Sequence, residues 1–354
     1  MHSALPESFA AAWLTWFPVG AEAPGGGLFG VDLQPAFVSS LARLGLLLLC
    51  AGMVWLLSQS SLLTERKRNA AIVGGMIYFL AAGTAELILV HLGLYRYVFT
   101  NYVYQGVPLD LELCYAAVWG TGLCLMWESA WPLIRPLLFL SAVALGAVFD
   151  QWGLRSGNLL TAPAANWAYY DIGLHTLLPG VALWFYHMVE ENRGLTIRCV
   201  VYALGYFVVF YFLVPSLILS VTQTEWALSP ERWQWVIVAM AVAAIPGGWA
   251  AGQYAVSGRG TPLPLDPTSR LIVTGPYAYV RNPMQISFAL MALIWAAASQ
   301  SLYLAIYAIL LLAALQLMRN QEEDDLHRRF GNRYKNYARR VRLWIPNTTP
   351  YEED

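Results

Sequence analysis

Charged side chains are scarce in this 354-residue sequence, where they make up only 12% of the residues. A soluble globular protein carries about 25%, and apolar residues here reach 58%. This composition excludes an ordinary soluble enzyme and indicates a chain that lies largely within a membrane. The formal net charge of −1 lacks the basic excess typical of nucleic-acid binding, so no nucleic-acid partner is expected.

Cysteine and histidine are also sparse, with four and five copies. Each cysteine lies inside an apolar run, without the paired spacing of a zinc site or the density of a disulfide-stabilised domain. We therefore interpret the cysteines as small core residues. His175 and His187 are interpreted as core or interfacial side chains rather than metal ligands, and no metal site is expected.

Apolar runs long enough to cross the hydrocarbon core of a bilayer recur along the chain. The last two runs are short and are separated only by residues 299–301, which predicts a tight helical hairpin. The fold class is therefore an all-α, polytopic transmembrane helical bundle with about nine spans. We predict these spans near residues 36–58, 71–94, 111–127, 134–152, 172–189, 199–221, 234–256, 283–298 and 302–318.

Positively charged residues set the expected orientation of the bundle. When the loop containing Arg66 and Lys67 is placed in the cytoplasm, nearly all other Lys and Arg residues outside the spans, Arg198 among them, fall on the same side. The positive-inside rule then puts the N-terminus outside and the C-terminus in the cytoplasm. No Lys or Arg precedes Arg43, so the basic start of a secretory signal is missing. Residues 1–35 are interpreted as an interfacial segment of the mature protein.

A second periodic pattern follows the last span. Apolar residues recur every three or four positions among basic ones, which predicts an amphipathic helix along the cytoplasmic surface from Arg319 to Val341. The apolar stripe of that helix comprises Leu326, Phe330, Tyr334, Tyr337 and Val341.

One polar loop, centred on residues 274–283, interrupts the apolar C-terminal half. Asn282 is a preferred N-cap residue and Pro283 suits the first helical position, so a helix should begin there. The N-terminus of a helix attracts anions, and Arg281 adds a cation beside it. Glu322 and Glu323 follow the hairpin and should lie within reach. These opposite charges suit a ligand that carries both a carboxylate and an amine.

The motifs in and after this loop resemble those of integral-membrane methyltransferases, the isoprenylcysteine carboxyl methyltransferase and phospholipid methyltransferase group. The resemblance covers the C-terminal part of the chain and implies S-adenosylmethionine as the cofactor. It also implies methyl transfer to a lipophilic substrate dissolved in the membrane. The matching motifs are Gly258–Pro262, Thr274–Tyr277, Arg281–Pro283, Glu322–Glu323, Phe330–Gly331, Tyr334, Tyr337 and Trp344–Pro346.

The resemblance also implies roles for individual residues. Arg281 and Glu323 would be the catalytic pair that steadies the reacting groups. The cofactor-binding residues would be Leu271, Ile272, Tyr277, Asn282, Pro283, Met284, Gln285 and Glu322.

Several positions depart from the isoprenylcysteine enzymes. Asn282 stands where those enzymes have His, Gln285 where they have Tyr, and Ser287 where they have Gly. The Arg expected shortly before the acidic pair falls at Arg319 or is displaced by Met318. These departures argue against a prenylcysteine carboxylate as the substrate, and the methylated atom stays open.

Two domains follow from this reading. Residues 196–354 would form the methyltransferase module, and residues 1–195 a bundle of about five spans that shapes a substrate chamber or pairs protomers. The N-terminal bundle contains a weak internal repeat, in which acidic residues flank an aromatic loop twice. The four acidic residues of the repeat are Glu86, Glu112, Asp150 and Asp171.

Two other functions stay open. Glu86 and Asp150 could belong to a second, isoprenoid-type active site in a bifunctional enzyme, because ionisable residues within membrane spans are costly and commonly functional. Acidic residues near aromatic loops also resemble membrane carotenoid-modifying enzymes. Alternatively, the chain is a transporter or sensor that retains a degenerate methyltransferase fold, which Gln285, Ser287 and Met318 would permit. The oligomeric state is open.

Overall fold

A computed structural model describes residues 35–94, 96–97, 103–104, 107–154, 160–161, 167–222 and 230–353. The interfacial segment expected at residues 1–35 lies outside these ranges except for its last residue. Internal contacts divide the chain into two compact units, with the boundary between Arg193 and Gly194. We call them the N-terminal unit and the C-terminal unit.

The described part of the N-terminal unit is built mainly from apolar helices. Two stretches of π-helix interrupt the regular pattern, at Ala116–Gly122 and at Phe149–Leu154. The helices are α1 (Pro35–Ser58), α2 (Glu65–His91), α3 (Leu109–Ser129), α4 (Arg135–Val148) and α5 (Trp167–Glu190).

Short strands join the loops at one end of this unit. Strand β1 pairs antiparallel with β4, so the loop after α2 meets the loop after α4. These are the two aromatic loops of the internal repeat, and the sequence did not predict their pairing. A second pair joins β2 to β3. The strands are β1 (Arg96–Tyr97), β2 (Val103–Tyr104), β3 (Val107–Pro108) and β4 (Leu160–Thr161).

The C-terminal unit contains the polar loop and the hairpin. Its helices are α6 (Leu195–Val208), α7 (Val214–Val221), α8 (Pro230–Gln253), α9 (Pro283–Ser299) and α10 (Leu302–Arg340). A π-helical stretch, Val209–Leu213, joins α6 to α7, and another, Tyr254–Gly258, extends α8. Helices α9 and α10 are separated by two residues, which confirms the predicted hairpin.

Helices α8 and α9 approach each other closely at Ser287. Pro246 lies inside α8, where its ring disturbs the preceding turn. The Gly247 N–H donates to the Ser287 hydroxyl, at 2.7 Å. A Cβ atom at Gly247 would lie 2.8 Å from that of Ser287. The serine that departs from the family pattern therefore has a structural role here.

Six helices in the described part of the chain are long and apolar enough to cross a membrane. Two further apolar helices are shorter than these six: α9, and residues Leu44–Ser58 of α1. The all-α fold is confirmed, whereas the count of nine spans stays a prediction. The six helices are Glu65–His91, Leu109–Ser129, Trp167–Glu190, Leu195–Leu219, Arg232–Gly258 and Leu302–Arg340.

The predicted amphipathic helix is the continuation of α10. Gly331, at φ 54° and ψ −125°, forms a kink that divides α10 into two helical parts. The apolar stripe of the helix packs on Leu271 and Val273 of the polar loop. The stripe that we had assigned to the membrane surface therefore covers the protein's own loop.

Candidate active site

A buried ion pair holds the loop between α8 and α9. The Arg198 side chain of α6 is fully buried, and its Nη1 atom lies 2.7 Å from Oδ2 of Asp266. The Thr261 hydroxyl donates to the same carboxylate oxygen at 3.1 Å. Arg198, which the positive-inside rule assigned to the cytoplasmic side, thus lies within α6 as a fully buried residue. The only sequence signal for the pair is a lone Asp in a proline-rich loop.

Two glycines allow this loop to fold tightly. A Cβ atom at Gly260 would lie 2.5 Å from the Cα atom of Thr268, so any side chain would displace the backbone. Gly275 has φ +62°, a conformation that other residues rarely adopt. Both glycines belong to the motifs of the sequence analysis, and the structure gives each a steric reason.

Successive side chains of residues 271–273 pack into two different hydrophobic clusters. Ile272 packs in one cluster with Tyr277 and Met284. Leu271 packs in another with Tyr334 of α10. Three of the expected cofactor-binding residues are thus brought together, whereas Leu271 faces α10 instead.

Several buried polar atoms at the N-terminus of α9 make no hydrogen bond within the described residues. The helix begins at Pro283, as predicted, but the Asn282 side chain makes no capping hydrogen bond. Within the described residues, three buried polar atoms lack a partner here: Nε of Arg281, Nδ2 of Asn282 and Oε1 of Gln285. Two donors and one acceptor therefore lie within five residues, at a helix end that favours anions.

Glu323 joins this helix start to α10 through two arginines. One carboxylate oxygen lies 2.6 Å from Nη1 of Arg281, and the other lies 2.5 Å from Nη1 of Arg319. The Tyr334 hydroxyl is 3.4 Å from the first oxygen. The structure thus places Arg281, Arg319 and Glu323 in one ion-pair network.

Glu322 lies beside two phenols. The Tyr254 hydroxyl interacts with the Glu322 carboxylate and with the Tyr277 hydroxyl. Burial raises the pKa of Tyr277 well above its ordinary value, so its hydroxyl keeps its proton at neutral pH. Glu322 itself remains exposed. Its carboxylate is therefore held by a phenol, while other parts of the side chain are exposed.

Residues 253–333 match the phospholipid methyltransferase family. This methyltransferase segment starts at the last residue of α8 and contains the polar loop, α9 and the acidic pair of α10. It spans less than a quarter of the chain. The resemblance found in the sequence is confirmed for this segment, and the apolar helices and the family match support a multi-pass membrane protein. No curated protein and no solved structure matches the chain.

Residues 341–353, beyond the methyltransferase segment, return across its loop as a C-terminal strap. The Asn347 N–H donates to the Tyr279 carbonyl at 2.8 Å, and the Tyr351 N–H donates to the Ala278 carbonyl at 2.8 Å. The Arg281 N–H donates to the Arg342 carbonyl at 2.9 Å. The strap thus fixes the backbone directly before α9, an arrangement that the sequence analysis missed because it read this tail only as a motif.

The residues considered for a second site lie in the N-terminal unit. Glu86 is buried and accepts a hydrogen bond from the Tyr97 hydroxyl at 3.3 Å. Asp150 is buried beside His175, with Nε2 and Oδ2 3.0 Å apart. His175 also lies 3.5 Å from Asp171, one helical turn earlier. This i,i+4 spacing was visible in the sequence, but we had interpreted His175 as a core or interfacial side chain rather than a metal ligand.

Proposed function

We propose that the C-terminal unit binds S-adenosylmethionine and transfers its methyl group to a lipophilic substrate in the membrane. The observation that supports the proposal most is the set of unpartnered polar atoms at the start of α9, in a segment matched by a methyltransferase family. Donors from Arg281 and Asn282 fit the carboxylate of the cofactor. Glu322 and the Gln285 oxygen fit its positively charged groups.

When bound, the cofactor supplies the electrophilic methyl group. Glu322 would hold the cofactor from α10, with Tyr254 fixing the carboxylate. The Ile272, Tyr277 and Met284 side chains would form an apolar wall that excludes water. The chain's contribution is then to align the reactants, since the donor already carries the reactive group.

Arg281 and Glu323 act as positioning residues in this proposal. Both oxygens of Glu323 are engaged by arginines, so this carboxylate has little capacity left for a ligand. Its effect would be to fix the start of α9 against α10. Arg281 would use its remaining Nε–H for the cofactor, while its Nη1 atom anchors the network.

The substrate would reach the site from the lipid. A carboxylate, thiol, amine or hydroxyl of an isoprenoid or lipid would serve as the methyl acceptor. With the N-terminus outside and the C-terminus in the cytoplasm, the polar loop would face the cytosol, where S-adenosylmethionine is present. Leu271 and Pro283 support the site in this proposal by packing the loop and starting α9.

Calorimetric titration of the full-length protein in detergent tests the cofactor. We expect S-adenosylmethionine and S-adenosylhomocysteine to bind, and Glu322→Gln and Arg281→Lys each to weaken binding at least tenfold, about 1.4 kcal/mol. The lysine variant retains the positive charge and removes the Nε–H donor. Asp324→Asn, which changes an exposed acid two residues from Glu322, is the matched control and should bind as wild type.

Two results would contradict the proposal. One is wild-type affinity in both site variants, which would place the cofactor elsewhere. The other is no binding by a folded, monodisperse sample. The second result would favour the transporter or sensor alternative, which substrate-driven uptake into vesicles would then examine.

A further inference from the structure

Three side chains of the N-terminal unit converge on a single point. Asp171 and His175 lie one turn apart near the start of α5, and Asp150 lies in the π-helical stretch after α4. One ligand atom from each lies within 4.8 Å of the other two. At metal–ligand distances of about 2.0–2.2 Å, neighbouring ligand atoms lie roughly 3–3.5 Å apart. The His175 Nε2 atom lies 3.0 Å from Asp150 and 3.5 Å from Asp171.

The remaining oxygen of each aspartate is held by a neutral donor. The Tyr115 hydroxyl donates to Oδ1 of Asp150, the oxygen that does not face His175. The Gln151 amide donates to Oδ2 of Asp171 at 3.3 Å. Metal-binding carboxylates are usually hydrogen-bonded in this way through outer partners. The Tyr115 ring also packs edge-on against the His175 ring, with centroids 5.8 Å apart, and so orients the imidazole.

Glu112 gives an independent indication of a ligand. The residue is fully buried, and neither of its carboxylate oxygens has a hydrogen-bond partner among the described residues. Its carboxylate interacts electrostatically with Glu86 and then with Asp150 and His175, so it lies in the same buried polar region as the converging side chains. We call Glu112, Asp150, Asp171 and His175 the acid cluster.

The acid cluster is unbalanced in charge. It contains three carboxylates and one imidazole, and in the described part of the chain neither Lys nor Arg contacts these carboxylates. An unpaired buried charge costs several kcal/mol. A cation bound between the carboxylates would remove that cost and would also give Glu112 a partner.

We propose that the acid cluster binds a divalent transition-metal cation, with Asp150, Asp171 and His175 as ligands and Glu112 as the third acidic group beside them. A set of one imidazole and carboxylate oxygens suits Mn²⁺, Fe²⁺ or Zn²⁺ better than softer ions. The site is assigned independently of methyl transfer, because none of these residues belongs to the methyltransferase segment.

Metal titration of the full-length protein in detergent tests the proposal. After treatment with a chelator, the wild type should bind close to one equivalent of Mn²⁺ or Zn²⁺ by calorimetry. Asp171→Asn and His175→Gln should each weaken that binding at least tenfold. Glu65→Gln changes an exposed acid at the start of α2 and should leave binding unchanged.

Two results in folded samples would overturn the assignment. Absence of binding by the wild type would mean that the cluster is neutralised by protons. Undiminished binding in both ligand variants would place the metal elsewhere. If the variants do not fold, pulsed electron paramagnetic resonance of Mn²⁺-loaded wild type decides instead. Coupling to an imidazole nitrogen supports the site, since His175 is the ring in the cluster, and its absence refutes the site.

Discussion

The methyltransferase segment and the acid cluster both bury charge in apolar surroundings, but they balance it differently. In the C-terminal unit, Asp266 faces Arg198, and Glu323 is shared by Arg281 and Arg319. In the acid cluster, three carboxylates share one imidazole. In one region the carboxylates are paired with arginines, and in the other the carboxylates outnumber the basic side chains.

This difference indicates what each region can accept. A site that is already balanced suits a ligand whose own charges nearly cancel, which is the case for a molecule with both a carboxylate and an amine. A site with excess buried negative charge needs a cation or protons, because desolvating an ion is expensive. The two regions therefore differ in the charge of the ligand that each can bind.

Removing one partner of the buried ion pair in the C-terminal unit should have the largest effect on stability. Arg198→Met leaves Asp266 buried without its cation, and we expect a loss of about 3–5 kcal/mol in the free energy of unfolding. Denaturant titration in detergent measures it. Arg193→Met, which removes an arginine with a 78% exposed side chain, is the matched control and should change little.

A double variant distinguishes the loss of the ion pair from the cost of leaving one buried charge unpaired. Arg198→Met combined with Asp266→Leu removes both charges and should be more stable than Arg198→Met alone, because no buried ion is left unpaired. Equal stability of Arg198→Met and the Arg193 control would show that the buried pair does not hold the loop.

A substitution that alters packing but not charge should have a smaller effect on stability. Gly260→Ala forces a Cβ atom against the Thr268 backbone, and overpacking of this kind costs about 1–3 kcal/mol. Gly252→Ala in α8 meets no atom within 4 Å and should stabilise the helix slightly. Thermal unfolding of both variants gives the comparison, and two shifts in the same direction would argue against the tight loop.

The smallest expected effect is a gain in stability when Glu112 of the acid cluster is replaced. In metal-free protein, Glu112→Leu removes an unpartnered buried carboxylate, and we expect stability to rise by about 1 kcal/mol or more. The same substitution should reduce the stabilisation that Mn²⁺ adds to the wild type. A marked loss of stability in the metal-free variant would reveal a partner for Glu112 and would weaken the contrast between the two regions.

Local signals predicted part of the local structure around the candidate site. The start of α9 at Pro283 and the hairpin turn at residues 299–301 follow from capping preferences and the lengths of apolar runs. The proximity of Arg281 to Glu323 followed from the shortness of the hairpin. Sequence reasoning did not find the Arg198–Asp266 pair, because these residues are 68 positions apart and neither belongs to a periodic pattern.

The sequence by itself determined the membrane class, the helical fold and the methyltransferase motifs, because composition, periodicity and capping act over short stretches of chain. The tertiary structure decided which charges meet. It paired the two aromatic loops, gathered the acid cluster and returned the C-terminal strap to the backbone before Asn282. These contacts depend on how distant helices pack, and packing is not encoded in the neighbourhood of any single residue.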